Sequence, residues 1–279
     1  VRPVVTFLSD YGTSDEFAGV CHGVIARICP DAHVIHVTHG VAPTRVDQGA
    51  RLLTSAIGYL PVGVHVAVVD PGVGSPRRAL ALRSADGRVF VGPDNGVLMP
   101  AAEACGGIVE AYAITNPEAM LEPVSRTFHG RDVFAPAAAR IASGMPLEQL
   151  GERLDPAGLV RRDDPGHRLE GSRLTATVLS IDRFGNIQLG ATPGQLGGRF
   201  RVGETVEVAT EDDRYYVRCA ETFTDVDHGE LVLYEDANGQ LSLAINHGDA
   251  AELTAAQVGG ELMLELEPAI SPDPLDRFP

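Results

Sequence analysis

The chain has 279 residues, 44% of them hydrophobic, enough to bury one large core or two ordinary ones and too many for extended disorder. Its formal net charge of -16, 5% aromatic content and lack of Trp argue against nucleic acid as a partner, because phosphate contacts need a basic face and base stacking needs rings. No stretch approaches the ~20 apolar residues of a membrane span, VRPVVTFLSDYG breaks too early for a signal peptide, and Cys21, Cys29, Cys105 and Cys219 lack the spacing of a zinc or disulfide framework, so a cytoplasmic protein with reduced thiols is expected.

Residues 4–8 form a β-branched run, the signature of a buried strand. The run ends at Ser9-Asp10-Tyr11-Gly12, after which Phe17, Val20, Val24, Ile25 and Ile28 recur at helical steps. Thr13, Ser14, Asp15 and Glu16 offer capping groups at the start of this helix. A strand over 32–37, a helix over 50–60 and an apolar strand over 64–69 continue the alternation. Ala85-Asp86-Gly87 joins strands over 79–82 and 89–91 as a hairpin. A helix over 97–105, a strand over 108–114 and an alanine-rich helix over 131–142 follow. The pattern predicts an N-terminal α/β sandwich domain, residues 1–155, with a mostly parallel sheet covered on both faces. Residues 156–172, rich in Gly, Pro and charge, read as a linker. Short strand-like runs at 175–181, 205–209, 214–218, 231–234, 241–245 and 262–266 then predict a smaller all-β, barrel-like domain over 173–279.

In open α/β sheets, ligands bind beyond the carboxyl ends of the strands. Two strands here end on an aspartate, VVTFLSD at Asp10 and VHVAVVD at Asp70, each followed by a glycine-containing loop. Asp before Gly or Pro is also a common turn residue, so each is weak alone and the two gain weight together. Gly72 and Gly74 do not form a dinucleotide fingerprint, and there is no Walker phosphate loop. In SRTFHGRD, His129 stands beside a glycine just before a helix. HVIHVTH resembles a metal site, but strand alternation places His33 and His39 on one face and His36 on the other, so no metal site is expected there. In SIDRFGNIQL, Asp182, Phe184 and Asn186 alternate around Gly185. This reads either as a turn or as a nucleobase platform, since a ring offers a face and an Asn amide both donates and accepts.

Taken together, TFLSDYGTSDEF, ICPDAHVIHVTH, VVDPGVGSPRR, VGPDNGVL, FHGRD, SIDRFGN and LSLAIN, in that order, resemble the S-adenosyl-L-methionine (SAM) hydroxide adenosyltransferases, relatives of the fluorinase and chlorinase enzymes. The resemblance covers nearly the whole chain. It implies an α/β domain, a C-terminal β-barrel and a homotrimer whose active sites lie between one subunit's N-domain and a neighbour's C-domain. By motif position Asp70, Arg77 and His129 look like the Asp–Arg–His set of the hydroxide-using branch, and Arg78 reads as a solvated neighbour. Asp10 looks like the carboxylate that grips the ribose hydroxyls, Asp182 like the residue near the methionine amine, Asn186 like the adenine contact, and Phe184 and Phe223 like aromatic walls. Asn238, Asn246 and His247 complete the implied substrate contacts. The fluorinase has Ser-Arg where this chain has Ala237-Asn238, which leaves the methionine carboxylate to backbone groups. It also has tyrosine in place of Asp70, serine in place of Gly130 and a long insertion at the 85–87 turn, which argues against fluoride as the nucleophile.

The implied reaction is SAM plus water giving adenosine and L-methionine, with SAM as substrate and no separate cofactor or metal. Two alternatives are a halide adenosyltransferase of the chlorinase kind and a non-catalytic SAM- or adenosine-binding protein. No nucleic acid or membrane partner is expected.

Overall fold

A computed structural model of the chain describes residues 2–162, 166–210 and 213–266. It divides into two units, residues 1–163 and 164–279. The first runs β1 (Val4–Ser9), α1 (Phe17–Ile28), β2 (His33–Thr38), α2 (Val46–Ile57), β3 (Val64–Val68), β4 (Ala79–Ser84), β5 (Val89–Pro93), α3 (Met99–Ala104), β6 (Ile108–Ala113) and α4 (Ala135–Ala142). Its six strands form one sheet in the order β2-β1-β3-β5-β4-β6. β2, β1, β3 and β5 run parallel, and β4 runs antiparallel to both of its neighbours.

β3, VHVAV, is buried along its whole length, as a central strand covered on both faces must be. On one face of the sheet Val5, Phe7, Val66, Val68 and Val91 pack against Cys21, Ile25, Phe134 and Ala138. On the other, Leu8, Ala67, Leu80, Leu82 and Phe90 pack against Leu53, Ile57 and Leu98. Each large apolar side chain so buried contributes roughly 1.5–3 kcal/mol. These layers fix the sheet, and the sheet fixes where its strands release the chain at their carboxyl ends.

Two helix starts differ from the sequence expectation. Glu16 is the N-cap of α1 and makes no side-chain capping bond, so the polar run before it leaves the helix uncapped. The helix expected over 131–142 opens instead as a π turn, Gly130–Phe134, before α4. The Ala135 N–H donates to the Gly130 carbonyl, five residues back rather than four. Wide turns of this kind gather at functional sites, and this one follows His129 directly.

The second unit contains β7 (His167–Glu170), β8 (Arg173–Ile181), β9 (Ile187–Leu189), β10 (Thr205–Ala209), β11 (Arg214–Cys219), β12 (Leu231–Glu235), β13 (Leu241–Ile245), α5 (Ala250–Thr254) and β14 (Glu261–Glu265). Seven strands close a barrel in the order β14-β10-β11-β12-β13-β9-β8, with β14 pairing back onto β8. β7 flanks the first half of β8 and β9 the second. Leu174, Ala176 and Val178, Val206 and Val208, and Leu262 and Leu264 point into the core at the period of two that strands impose. β7 lies within the segment read from sequence as linker. It has only four residues and no apolar alternation strong enough to announce it.

The four cysteines are free and buried. No helix among the described residues is long and apolar enough to cross a membrane.

Candidate active site

β1 and β3 are adjacent parallel strands, with Ser9 opposite Val68. Their carboxyl ends therefore release Asp10 and Asp70 at the same edge of the sheet, and the Asp10 N–H still reaches the Val68 carbonyl at 3.4 Å. After Asp70 the chain makes two tight turns, Val73 N–H to Asp70 carbonyl at 3.2 Å and Ser75 N–H to Gly72 carbonyl at 3.0 Å. Gly74 sits at φ +79°, and a Cβ there would lie 2.6 Å from the Arg126 carbonyl, so only glycine fits this bend. The turns bring Arg77 back onto Asp70.

The guanidinium grips the carboxylate with two donors. Arg77 Nε donates to Asp70 Oδ1 at 3.0 Å, and Nη2 donates to Oδ2. The side chains are only 10% and 6% exposed, so this ion pair is largely withdrawn from solvent. Nη2 also donates to His129 Nδ1 at 2.7 Å. An arginine can only donate, so His129 Nδ1 is the acceptor and the neutral ring carries its proton on Nε2. Burial and the neighbouring Arg77 charge push the His129 pKa below its ordinary value, which favours this neutral form. The Phe134 ring lies under the guanidinium at 5.2 Å. Asn95 braces the same end of the sheet by donating to the Val69 carbonyl at 2.8 Å.

Asp10 is held by the loop after β2, where the Thr44 N–H donates to its Oδ2 at 3.1 Å. Burial raises its pKa, with the Asp70 charge adding in the same direction and the Thr44 bond opposing. The peptide bonds around Asp10 are fixed by His39. Its carbonyl accepts the Gly12 N–H at 2.7 Å, and its Nδ1 meets Ser9 Oγ at 2.7 Å.

The HVIHVTH segment thus differs from its strand-alternation reading. The register between β1 and β2 slips after Phe7–His36, so Leu8 pairs with Thr38 and His39 falls beyond the strand. His36 Nδ1 and His39 Nε2 meet at 2.6 Å, and His22 Nδ1 lies 2.8 Å from His36 Nε2. Among the described residues no group of three or more His, Cys, Asp or Glu is arranged to hold a metal ion. Arg78 is 39% exposed at its side chain, as a solvated neighbour should be, and is also ion-paired. It donates to Asp94 Oδ2 at 2.7 Å and to the Gly158 carbonyl at 2.8 Å, and so ties residues 158–160 to the sheet.

In the barrel unit, Asp182 closes the loop between β8 and β9. Its Oδ1 accepts the Phe184 and Asn186 N–H groups at 2.8 and 3.0 Å, and its Oδ2 accepts the Asn186 side-chain amide at 2.8 Å. Gly185, at φ +80°, lies so close to Asp249 that a Cβ would fall 2.0 Å from the carboxylate. Its carbonyl accepts the Ala251 N–H at 3.1 Å. Asn246 donates its amide to the Val226 carbonyl at 2.9 Å, which anchors the single turn that begins at Phe223. His247, at φ +62°, stacks on His228 with ring centroids 4.6 Å apart. The structure therefore gathers Asp182, Phe184, Asn186, Phe223, Asn246 and His247 on connected loops. Asn238 sits on the β12–β13 turn, at the other end of β13, roughly 16 Å of strand away. Phe184 is 66% and Phe223 38% exposed.

Sequence reading missed Thr44, whose backbone N–H works whatever its side chain, and Tyr11, whose ring forms an aromatic group with Phe17 and Phe128.

This layout, an acid–arginine–histidine cluster at the strand ends followed by a closed barrel, has relatives. Residues 5–151 match the family model for the SAM hydroxide adenosyltransferase N-terminal domain, and residues 176–263 match that for its C-terminal domain. The chain belongs to the SAM hydroxide adenosyltransferase family. It is 46% identical to the (R)-S-adenosyl-L-methionine hydrolase of Salinispora tropica over 260 residues, covering 93% of this chain and 97% of the relative. Similarity to the fluorinase of Actinopolyspora mzabensis is lower, 28% identity over 90% of this chain and 93% of the fluorinase. The crystal structure of an uncharacterized conserved protein from Thermotoga maritima superposes with a TM-score of 0.87 at 34% identity, covering 93% of this chain and 99% of that one. The family's two domains thus coincide with the α/β unit and the barrel.

Proposed function

We propose that this protein hydrolyses (R)-S-adenosyl-L-methionine to adenosine and L-methionine by attack of water on the ribose C5′. The reading is carried by one observation, the closed Asp70–Arg77–His129 group at the carboxyl ends of the parallel strands. The oxygen of water forms a bond to C5′ while the C5′–S bond breaks in line, and its electron pair neutralises the sulfonium. The leaving group is a neutral thioether and needs no general acid. One proton is released per turnover, and it comes from the water.

Asp70 keeps lone pairs free beyond its two bonds to Arg77 and accepts a proton of the water. His129, with Nδ1 engaged by Arg77, offers Nε2–H as a donor rather than a second base. The Arg77 charge beside the water favours developing hydroxide in this water-poor setting. Asp10, clamped by Thr44, holds the ribose hydroxyls. Asp182, Asn186, Phe184, Phe223, Asn246 and His247 form the remaining substrate contacts, and Asn238, at the other end of β13, stands apart from them. SAM is itself the substrate, and the reading assigns every role to side chains of the protein, with no separate cofactor or metal. Assembly as a homotrimer and a cytoplasmic location belong to the same reading, supported by the exposed Phe184 and Phe223 rings and by the four unpaired thiols.

Incubation of the purified protein with each sulfonium epimer of SAM in halide-free buffer tests the proposal. Equimolar adenosine and methionine from the (R) epimer is the expected result. Tight binding of both epimers without turnover would rule the reading out.

A further inference from the structure

Gly130 is not required by its backbone. It is absent from the glycines at positive φ and opens a right-handed helical turn. It is required by space. A Cβ at this position would lie 2.0 Å from Tyr11 Oη, 2.9 Å from Cζ and 3.1 Å from Cε2. The tip of the Tyr11 ring therefore rests on the backbone of the residue next to His129.

The ring is fixed in this pose. Its centroid stands 5.7 Å from Phe128, 6.0 Å from Phe17 and 6.2 Å from Phe7, with edge-on or tilted geometry in each pair. Phe17 and Phe128 in turn meet edge-on at 5.2 Å. Three aromatic neighbours hold the apolar body, and they leave the hydroxyl to find a polar partner. Among the described residues it has none: the hydrogen bond of Tyr11 is made by its backbone N–H to Ser9. Tyr11 is half-buried and its hydroxyl is not among the buried polar atoms left unpaired, so it stays open to a water partner. The side chains that act on its ionisation are Cys21 first, on the helix side, then Asp10, Asp70 and Arg77 of the candidate site. Burial pushes its ionisation far above the ordinary tyrosine range, so it remains an O–H that can donate and accept but cannot serve as a base.

We propose that the Tyr11 hydroxyl is a further polar contact of the attacking water, beside Asp70, Arg77 and His129, and that position 130 is glycine to leave room for it. The inference rests on the water-attack reading above. As the water loses its proton to Asp70, the Tyr11 O–H donates to the oxygen on which negative charge develops. The contact is stronger in the transition state than with neutral water, so it acts on kcat rather than on substrate affinity.

The test is a kinetic cycle on purified full-length protein. Tyr11→Phe removes the oxygen and keeps the ring. It is expected to lower kcat about tenfold, the worth of one neutral hydrogen bond, with KM for SAM and the thermal midpoint unchanged. Gly130→Ala drives a methyl into the phenol and is expected to lower kcat further. In a Tyr11→Leu background, where the space is open, the same Gly130→Ala change is expected to cost little. Wild-type kcat in Tyr11→Phe, or an equal cost of Gly130→Ala with and without the ring, would overturn the proposal. Asp70→Asn, run in parallel, separates the two levels. If it is inactive while Tyr11→Phe is normal, the role of Tyr11 alone falls. If both are fully active, the water-attack site falls with it.

Discussion

The strand-end cluster of the α/β unit and the loops of the barrel hold their polar groups in opposite ways. Asp70 and Arg77 share one loop, His129 comes from a segment 52 residues further on, and the three satisfy one another through side chains, the Asp70–Arg77 pair nearly buried. Asp182 and Asp236 instead accept from backbone N–H groups of their own turns, and the aromatic rings Phe184 and Phe223 stand in the open. The first arrangement is preorganised for charge development, because a buried bidentate pair is costly to disturb. The second is a set of turns built around carboxylates, suited to presenting contact surface. On the proposed function, rate belongs to the first region and affinity to the second.

Mutations can break that division directly. Asp70→Asn keeps the volume and removes the charge and the proton-accepting base, and is expected to lower kcat by about a thousandfold. His129→Ala, which strips Arg77 of a partner, is expected to approach the same loss. Phe184→Ala removes an exposed ring and is expected to raise KM by about tenfold while kcat stays near normal. Steady-state kinetics on the three variants checks the division. A kcat defect in Phe184→Ala as large as that in Asp70→Asn would erase it.

A smaller effect sharpens the comparison from the side of stability. His65 is wholly buried in β3, its Nδ1 3.0 Å from Thr6 Oγ1 and its Nε2 without a partner among the described residues. Burial, followed by the Arg88 charge, lowers its pKa to about 4. His39, behind the Asp10 loop, is lowered to about 4 by burial and by His36. Between about pH 6.5 and 4 the unfolded chain takes up protons that the folded chain refuses. Stability is therefore full above that window and falls as the pH drops through it. Each histidine contributes a slope of about 1.4 kcal/mol per pH unit. His65→Asn, which keeps a partner for Thr6, is expected to flatten the slope by about that amount in denaturant melts across the window. An unchanged slope would mean that His65 does not titrate between the two states.

Much of this was legible in the sequence. Apolar strands ending on Asp10 and Asp70 marked the site's edge, because strand direction and burial are written locally in hydrophobic pattern. The barrel was legible from short strands divided by Gly, Asp and Asn. What escaped depends on register and space. The slip between β1 and β2 that turns His39 towards His36 and Ser9 has no local signature. Neither has the π turn after His129, nor the contact between Tyr11 and Gly130, which joins residues 119 positions apart. The ion pair of Arg78 escaped for the same reason, since its partner Asp94 sits on the far side of a hairpin. β7 and β9 were too short for their patterns to stand out.

The central claim is that water, held at the Asp70–Arg77–His129 group, attacks carbon. It is tested by turnover of SAM in heavy-oxygen water with halide-free buffer, followed by mass analysis of the products. The account predicts adenosine carrying one heavy oxygen, at the 5′ position, for every methionine released. Unlabelled adenosine, or label found in an amino-acid product, would contradict it.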